Sequence, residues 1–111
     1  MVDLGWARAQ LDKRSDGETL VYAVPCTDIE GYDGWLVASN ERIWYFQSGI
    51  AGGSEEYEYG TAVRRQDVPF SFGKKVMLVI DGSPFTLPTA TADEFEDVVR
   101  RMREGASDRD P

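Results

Sequence analysis

The sequence predicts an α+β domain: an antiparallel β-sandwich or open barrel of six or seven strands, capped by an amphipathic C-terminal helix and preceded by a short N-terminal helix. Three observations lead to this fold class. The 111 residues suit one domain, and 41% hydrophobic with 29% charged residues is a globular composition. Short apolar runs alternate with turn residues along most of the chain. A strongly amphipathic stretch lies near the C-terminus.

The first predicted element is a short helix, because Leu4, Ala7 and Leu11 recur at helical spacing. Ser15-Asp16-Gly17 is a turn sequence that would end it. Polar residues at the other end of the chain indicate a flexible tail. We therefore expect three parts: an N-terminal helix and turn over residues 1–17, the domain itself over residues 18–104, and the tail over residues 105–111.

Strands are predicted where β-branched and aromatic residues gather or alternate with polar ones. Pro25 predicts that the first strand ends at an edge or a bulge. Asn40-Glu41 and Asp81-Gly82 are expected to form hairpin turns. Residues 61–72 are the least regular, and they form either one bent strand or two strands broken at a proline. The predicted strands cover residues 18–24, 35–39, 42–47, 55–60, 61–72, 76–80 and 85–87, with a flexible loop over residues 48–54.

The last predicted element is a helix from Thr91 to Arg103. Thr91 and Glu94 have the spacing of a capping box, in which each side chain accepts from the backbone amide of the other. Four apolar residues then recur at the spacing of one helix face, and arginines in the last turns suit the helix dipole. The apolar residues are Phe95, Val98, Val99 and Met102. One face of this helix is therefore expected to cover a sheet.

The charge and residue types exclude several functions. Twenty acidic against twelve basic residues give a net charge of −8, which disfavours nucleic acid and anionic membranes as partners. The chain has no histidine, the commonest general base and metal ligand. The lone Cys26 has no intramolecular disulfide partner, and we expect a buried structural thiol in a cytoplasmic protein. No catalytic residue, cofactor or metal is predicted, and no apolar run approaches the length of a membrane span.

The run from Gly34 to Ile43 combines a glycine, an apolar strand, a polar turn and an arginine. It resembles the second and third strands of bacterial pleckstrin-homology-like (PH-like) and GRAM-like domains. Phe85-Thr86-Leu87-Pro88 followed by the C-terminal helix is similar to the end of the same family. The resemblance spans roughly residues 18–104, and it implies a scaffold that binds phosphoinositides, peptides or other proteins.

Lipid-binding members of the resembled family carry lysine and arginine in the loop between the first two strands. Here that loop holds Asp28, Glu30 and Asp33 instead. Phosphate would be repelled, so phosphoinositide binding is not expected. The three carboxylates offer oxygen ligands to a hard cation, but their spacing is not that of an EF-hand, and a solvated acidic loop is the preferred interpretation.

Aromatic residues are concentrated in Ile43-Trp44-Tyr45-Phe46. Alternate residues of a strand point to opposite faces, so Trp44 and Phe46 lie on one side and the other two residues on the opposite side. Both sides are apolar, as they also are in Val76–Ile80. An antiparallel sheet normally leaves one face polar. Either the N-terminal helix covers the second face or another chain does, and the sequence leaves both open.

We therefore predict a non-enzymatic protein–protein interaction module that self-associates through an aromatic sheet face. Nine arginines against three lysines hint at a bacterial or phage genome. The basic stretch 61–90 holds four bases against two acids and could meet an acidic surface. The candidate partner-binding residues are Trp35, Trp44, Phe46, Arg64 and Arg65. The alternative is an acidic nucleic-acid mimic or inhibitor that occupies a host DNA-binding protein.

Overall fold

The computed structural model describes residues 4–48 and 53–109, with side chains as far as residue 105. These residues form seven antiparallel strands and two helices, which confirms the predicted α+β fold. Residues 49–52 of the predicted flexible loop lie outside this part of the chain. The elements are α1 Leu4–Arg14, β1 Leu20–Asp28, β2 Asp33–Ser39, β3 Ile43–Gln47, β4 Ser54–Tyr57, β5 Val63–Asp67, β6 Lys75–Ile80, β7 Ser83–Pro88 and α2 Thr89–Arg109.

The seven strands form one curled sheet, a half-barrel with the order β4-β3-β2-β1-β7-β6-β5. It consists of two meanders, β1–β4 and β5–β7. They meet where Thr27 and Asp28 of β1 pair with Thr86 and Phe85 of β7. This pairing is short, so most of β1 has a neighbour on the β2 side alone.

The inner face of the sheet packs against α2. Ala92, Phe95 and Val99 of the helix are buried, as the predicted amphipathic pattern requires. The Tyr45 and Phe85 rings, which come from the two meanders, lie 4.7 Å apart between their centroids. The sheet residues of this cluster include Val24, Cys26, Leu36, Ala38, Ile43, Tyr45, Val76, Leu78, Ile80, Phe85 and Leu87.

The first strand does not end at Pro25, as the sequence indicated, but continues to Asp28. Pro25 lies opposite Trp35 of β2, and β7 pairs with β1 only from Thr27 onward. One side of β1 is therefore a free edge at the proline. A missing amide is tolerated at such an edge, and the strand passes through.

The predicted capping box is also wrong. Thr91 lies inside α2, and its hydroxyl donates to the carbonyl of Pro88 at 2.9 Å. The carboxylate of Glu94 accepts from the hydroxyl of Tyr22 on β1. The side chains of the predicted box are thus used in other contacts.

The helix begins two residues earlier because Thr89 is fixed by the loop before β6. Its amide donates to the carbonyl of Lys74 at 2.9 Å, and its hydroxyl donates to the carbonyl of Gly73 at 2.6 Å. The first of these bonds satisfies a backbone amide that a helix start leaves without an intrahelical partner. Helix α2 continues to Arg109, beyond the predicted end at Arg103.

The segment from residue 61 to 72 contains a single strand, β5, so the strand number is seven. The preceding strand, β4, ends at Tyr57 rather than at Gly60. Helix α2 contacts the connection between these two edge strands. Arg103 donates to the carbonyls of Tyr59 at 2.7 Å and Thr61 at 3.0 Å. These bonds attach the connection between β4 and β5 to the C-terminal helix.

Candidate interaction surface

The three predicted aromatic site residues lie under α1. Trp35, Trp44 and Phe46 are 9%, 6% and 0% exposed, and they pack against Ala7 and Leu11 of the helix. The chain's own N-terminal helix therefore covers this face, which is one of the two arrangements that the sequence left open. In this arrangement the aromatic side chains contribute to the core of the chain.

Cations and a carboxylate hold the aromatic face in place. The Arg14 guanidinium lies 5.2 Å from the centroid of the Phe46 ring, and that of Arg42 lies 5.6 Å from Trp44. The Trp44 indole donates to the Glu18 carboxylate at 3.2 Å. Cation–π contacts of this kind stabilise the aromatic face in addition to the effect of burying the rings. Arg14 and Glu18 therefore attach α1 and the turn that follows it to the sheet.

The structure separates the two predicted arginines. Arg65 points toward α2 and makes ion pairs with Asp93 at 2.6 Å and Glu96 at 2.9 Å. Arg64, its neighbour in β5, points to the opposite face of the strand. It is exposed and makes no ion pair within the described ranges 4–48 and 53–109. The predicted basic surface is thus reduced to Arg64, Lys74 and Lys75.

The outer face of β5–β7 is the part of the sheet that neither helix cluster includes. Directly paired residues share a face, which places Met77 beside Thr86 and Val79 beside Pro84. These four side chains are half-exposed. Charged and polar residues border them. We call the following set the outer face: Arg64, Gln66, Lys75, Met77, Val79, Pro84, Thr86 and Pro88.

Beside the outer face lies the phenylalanine loop, which we define as Val68–Lys74. Phe70 and Phe72 are 95% and 92% exposed. Both have a positive φ, 64° and 55°, in the left-handed region that bulky side chains rarely adopt. These residues do not stand out in the sequence, because their alternation resembles that of a strand. The signal that could have found them is Pro69 and Gly73, which bracket the pair as a turn would.

Hydrogen bonds hold the phenylalanine loop in this conformation. The Lys74 amide donates to the carbonyl of Ser71 at 3.1 Å, and the Ser71 hydroxyl donates to the carbonyl of Lys75 at 3.2 Å. The bonds from Thr89 fix the end of the loop against the start of α2. The backbone is therefore anchored, while the two largest side chains extend into solvent.

An apolar groove adjoins the loop at Lys75 and runs along the seam between β1 and β7. Its volume is about 840 Å³. Leu4 at the start of α1 forms one wall and is 44% exposed. Asp33 contributes a carboxylate. The remaining lining is Pro25, Cys26, Thr27, Gly34, Trp35, Ser48, Thr86, Leu87 and Pro88.

The acidic loop between β1 and β2 is organised by Asp28. Its carboxylate accepts from the amides of Glu30 and Tyr32 at 3.0 Å, from the Tyr45 hydroxyl at 2.8 Å and from the Gln47 amide group at 3.2 Å. Burial raises the pKa of Asp28, but these hydrogen bonds together lower it by more, so the pKa lies below its ordinary value. Asp28 therefore has a structural role in the turn.

Two further features concern chemistry. Burial raises the pKa of the Cys26 thiol, and the charge of Asp28 raises it further. No group of three or more potential metal-ligating side chains is found in residues 4–48 and 53–109. Neither helix in these ranges is long and apolar enough to cross a membrane.

Comparison with known proteins adds information on the fold. No family model matches the chain, and no curated protein matches it. A solved structure that it resembles is the C-terminal domain of an unknown protein from Leishmania infantum, with a TM-score of 0.65 and 16% identity. The match covers 88% of this chain and 94% of that one. At this identity the likeness concerns the fold alone: a compatible α+β half-barrel.

Proposed function

We propose that this chain is a non-enzymatic, cytoplasmic protein–protein interaction module that self-associates, built on a PH-like or GRAM-like domain of bacterial or phage origin. The observation that carries the proposal is the outer face of β5–β7. Helix α1 covers the corresponding face of β1–β3, whereas Met77 and Val79 remain half-exposed. In the part of the chain that the structure describes, neither helix cluster covers the outer apolar residues of β6.

The composition of the outer face supports a protein partner. Apolar side chains at its centre are bordered by Arg64 and Lys75, which is the arrangement of an apolar core and a polar rim at protein interfaces. The phenylalanine loop extends the apolar surface at one end. Contiguous exposed apolar area of this kind marks interaction sites more often than isolated side chains do.

Three side chains with reactive groups, Cys26, Asp28 and Tyr45, are buried or hydrogen-bonded within the fold, which supports a binding role. Cys26 is 5% exposed and its thiol has a raised pKa, so little thiolate forms near neutral pH. Asp28 is saturated by four donors. The Tyr45 hydroxyl donates to Asp28, and burial raises its pKa.

The placement of the carboxylates favours an interaction module over a nucleic-acid mimic. A mimic needs rows of carboxylates that are free to meet a DNA-binding surface. Several of the acidic side chains here are paired within the chain. Arg65 binds Asp93 and Glu96, Arg100 and Arg101 bind Asp97, and Arg42 binds Glu18 and Glu56.

The order of elements supports the PH-like part of the proposal. Seven antiparallel strands in two meanders precede one C-terminal helix that packs into their concave side. The β1–β2 loop carries Asp28, Glu30 and Asp33 where lipid binders of the resembled family carry bases. We accordingly propose a protein ligand and expect no phosphoinositide binding at this loop.

Sedimentation velocity of the full chain over a range of micromolar concentrations tests the proposal. We expect a reversible monomer–oligomer equilibrium. Val79→Lys places a charge at the centre of the outer face and should shift the equilibrium toward monomer. Val21→Lys is the matched control, because Val21 is 46% exposed on β1, at the end of the strand away from β7. A wild-type chain that stays monomeric throughout would overturn the proposed self-association.

A further inference from the structure

We propose that two copies of this chain associate by exchanging their phenylalanine loops, so that Phe70 and Phe72 of each copy occupy the apolar groove of the other. This inference rests on the proposed self-association and adds a loop exchange to the contact of the outer face. Four observations support it: the anchored loop, the groove, the charges on both, and their adjacency.

The loop has the properties of a preformed binding element. Its backbone is fixed by hydrogen bonds of Ser71, Lys74 and Thr89, so association immobilises little additional chain. Phe70 and Phe72 both adopt a left-handed backbone that disfavours bulky residues. Conformations of this kind persist where the surrounding structure holds them, and they concentrate at binding sites. Here they direct two aromatic rings into solvent.

The groove has the properties of an acceptor for these rings. Its volume of about 840 Å³ lies within the range of pockets that enclose small ligands, roughly 300–1,000 Å³. Leu4 forms an exposed wall, and Trp35, Pro25 and Pro88 supply apolar lining. A phenylalanine ring that packs against Trp35 gains from aromatic stacking beyond the area that it buries.

The charges favour a second copy over an anionic lipid surface. Lys74 and Lys75 have no ion pair in the described part of the chain, and Asp33 lies in the groove. Lys74 of the loop is therefore complementary to Asp33 in the groove of another copy, and Lys75 lies where the groove adjoins the loop. The whole chain carries −8, which an anionic membrane repels, whereas the repulsion between two copies is opposed at the contact by two Lys74–Asp33 pairs.

The positions of loop and groove allow a closed dimer. They meet at Lys75 on one molecule, so a single two-fold axis can bring each loop to the other copy's groove. An aromatic ring buries 150–250 Å². Four phenylalanines and the surface they contact would bury roughly 1,200–2,000 Å² in total, which is the size of a standard specific interface.

The first experiment is sedimentation equilibrium of the full chain and two double variants. Phe70→Ser with Phe72→Ser should weaken the dimer by roughly 30-fold or more, as expected when central interface residues are removed. Ile29→Ser with Tyr32→Ser is the matched control, because these residues are 78% and 51% exposed in the β1–β2 turn. The control should leave the dimer unchanged. All four side chains are exposed, so unchanged thermal midpoints will verify that the variants fold.

The second experiment reverses charges to locate the acceptor. Lys74→Glu and Asp33→Lys should each weaken the dimer, and the chain carrying both should recover most of the affinity. A wild-type monomer would overturn the proposed self-association together with this inference. A dimer that the phenylalanine variant leaves intact would overturn the loop exchange alone. Three other results would likewise overturn the loop exchange. They are a double charge variant that does not recover affinity, association into open-ended oligomers, and binding of the monomer through its loop to vesicles of anionic phospholipid.

Discussion

The carboxylate of Glu18 and the guanidinium of Arg42 form an ion pair of 3.2 Å beneath the turn between β2 and β3, with the Glu18 side chain only 3% exposed. Glu18 also accepts from the Ser39 hydroxyl at 2.6 Å and from the Trp44 indole at 3.2 Å. One carboxylate therefore connects the segment after α1 to the hairpin that α1 covers. We expect the position of the helix over the aromatic face to depend on this contact.

We expect Glu18→Gln to lower the free energy of unfolding by about 1–3 kcal/mol, because buried donors then lose their charged acceptor. The variant should also change the acid sensitivity. Burial raises the pKa of Glu18, but hydrogen bonds from Ser15, Ser39 and Trp44 and the charge of Arg42 lower it more, so the net pKa is below the ordinary 4.5.

A lowered folded-state pKa means that the carboxylate stabilises the fold above its unfolded pKa and loses this effect as pH falls through the folded value. Denaturant unfolding from neutral pH into the acid range should therefore show a steeper loss for the wild type than for Glu18→Gln. Glu30→Gln, at an exposed site of the β1–β2 turn, is the control. Parallel acid profiles of wild type and Glu18→Gln would contradict the assigned role.

Gly34 lies where β2 approaches β3 too closely for a side chain. A Cβ at this position would lie 2.5 Å from the Phe46 carbonyl oxygen and 2.5 Å from Cε1 of the Tyr45 ring. We expect Gly34→Ala to lower the free energy of unfolding by about 1–3 kcal/mol through the resulting strain. Gly60→Ala is the matched control, because no atom lies within 4 Å of its Cβ position. Equal thermal midpoints for the two variants would contradict this account.

The sequence predicts the elements better than their exposed surfaces. The two-sided apolar pattern of β2 and β3, with Leu4, Ala7 and Leu11 at helical spacing, predicts that a second cover exists and names α1 as one candidate. Whether a helix reaches that face depends on the turn at Glu18, and this tertiary contact leaves no periodic signal in the sequence. The choice between α1 and another chain therefore required the structure.

In the phenylalanine loop the sequence pattern predicts a strand where the structure has a turn. Val68, Phe70 and Phe72 alternate as in a half-buried strand, yet β5 ends at Asp67. Alternation reports the fit of side chains to a sheet surface, but a strand forms only where a partner strand is in register. After Asp67 the chain turns to reach β6, so Phe70 and Phe72 extend into solvent instead.

Arg64 and Arg65 are adjacent in sequence and differ in environment, which provides an internal control. Hydrogen bonds to Asp93 and then Glu96 raise the pKa of Arg65 and tie β5 to α2. We expect Arg65→Ala to cost about 0.5–1 kcal/mol at low salt and less at high salt, because exposed pairs are weak and screened. Arg64→Ala should leave stability unchanged. Urea unfolding of the two variants at dilute protein, with and without added salt, measures the difference, and equal losses would contradict it.

Leu11 fixes α1 to the aromatic face, and it is 1% exposed in contact with the cluster of Trp35, Trp44 and Phe46. We expect Leu11→Ala to lower the free energy of unfolding by about 2–4 kcal/mol, the usual cost of a buried leucine. All three tryptophans of the chain lie in or against this cluster, so their emission should shift to the red as the helix loosens.

Arg8→Ala is the control for this variant, because Arg8 is exposed on the same helix and lies outside the groove. A loosened α1 would also uncover the aromatic face, the surface through which the sequence predicted self-association. In Leu11→Ala we therefore expect additional association that persists when Phe70 and Phe72 are replaced by serine, because it uses Trp44 and Phe46 instead. If the emission and the association of Leu11→Ala match those of the wild type, the helix does not control access to this face.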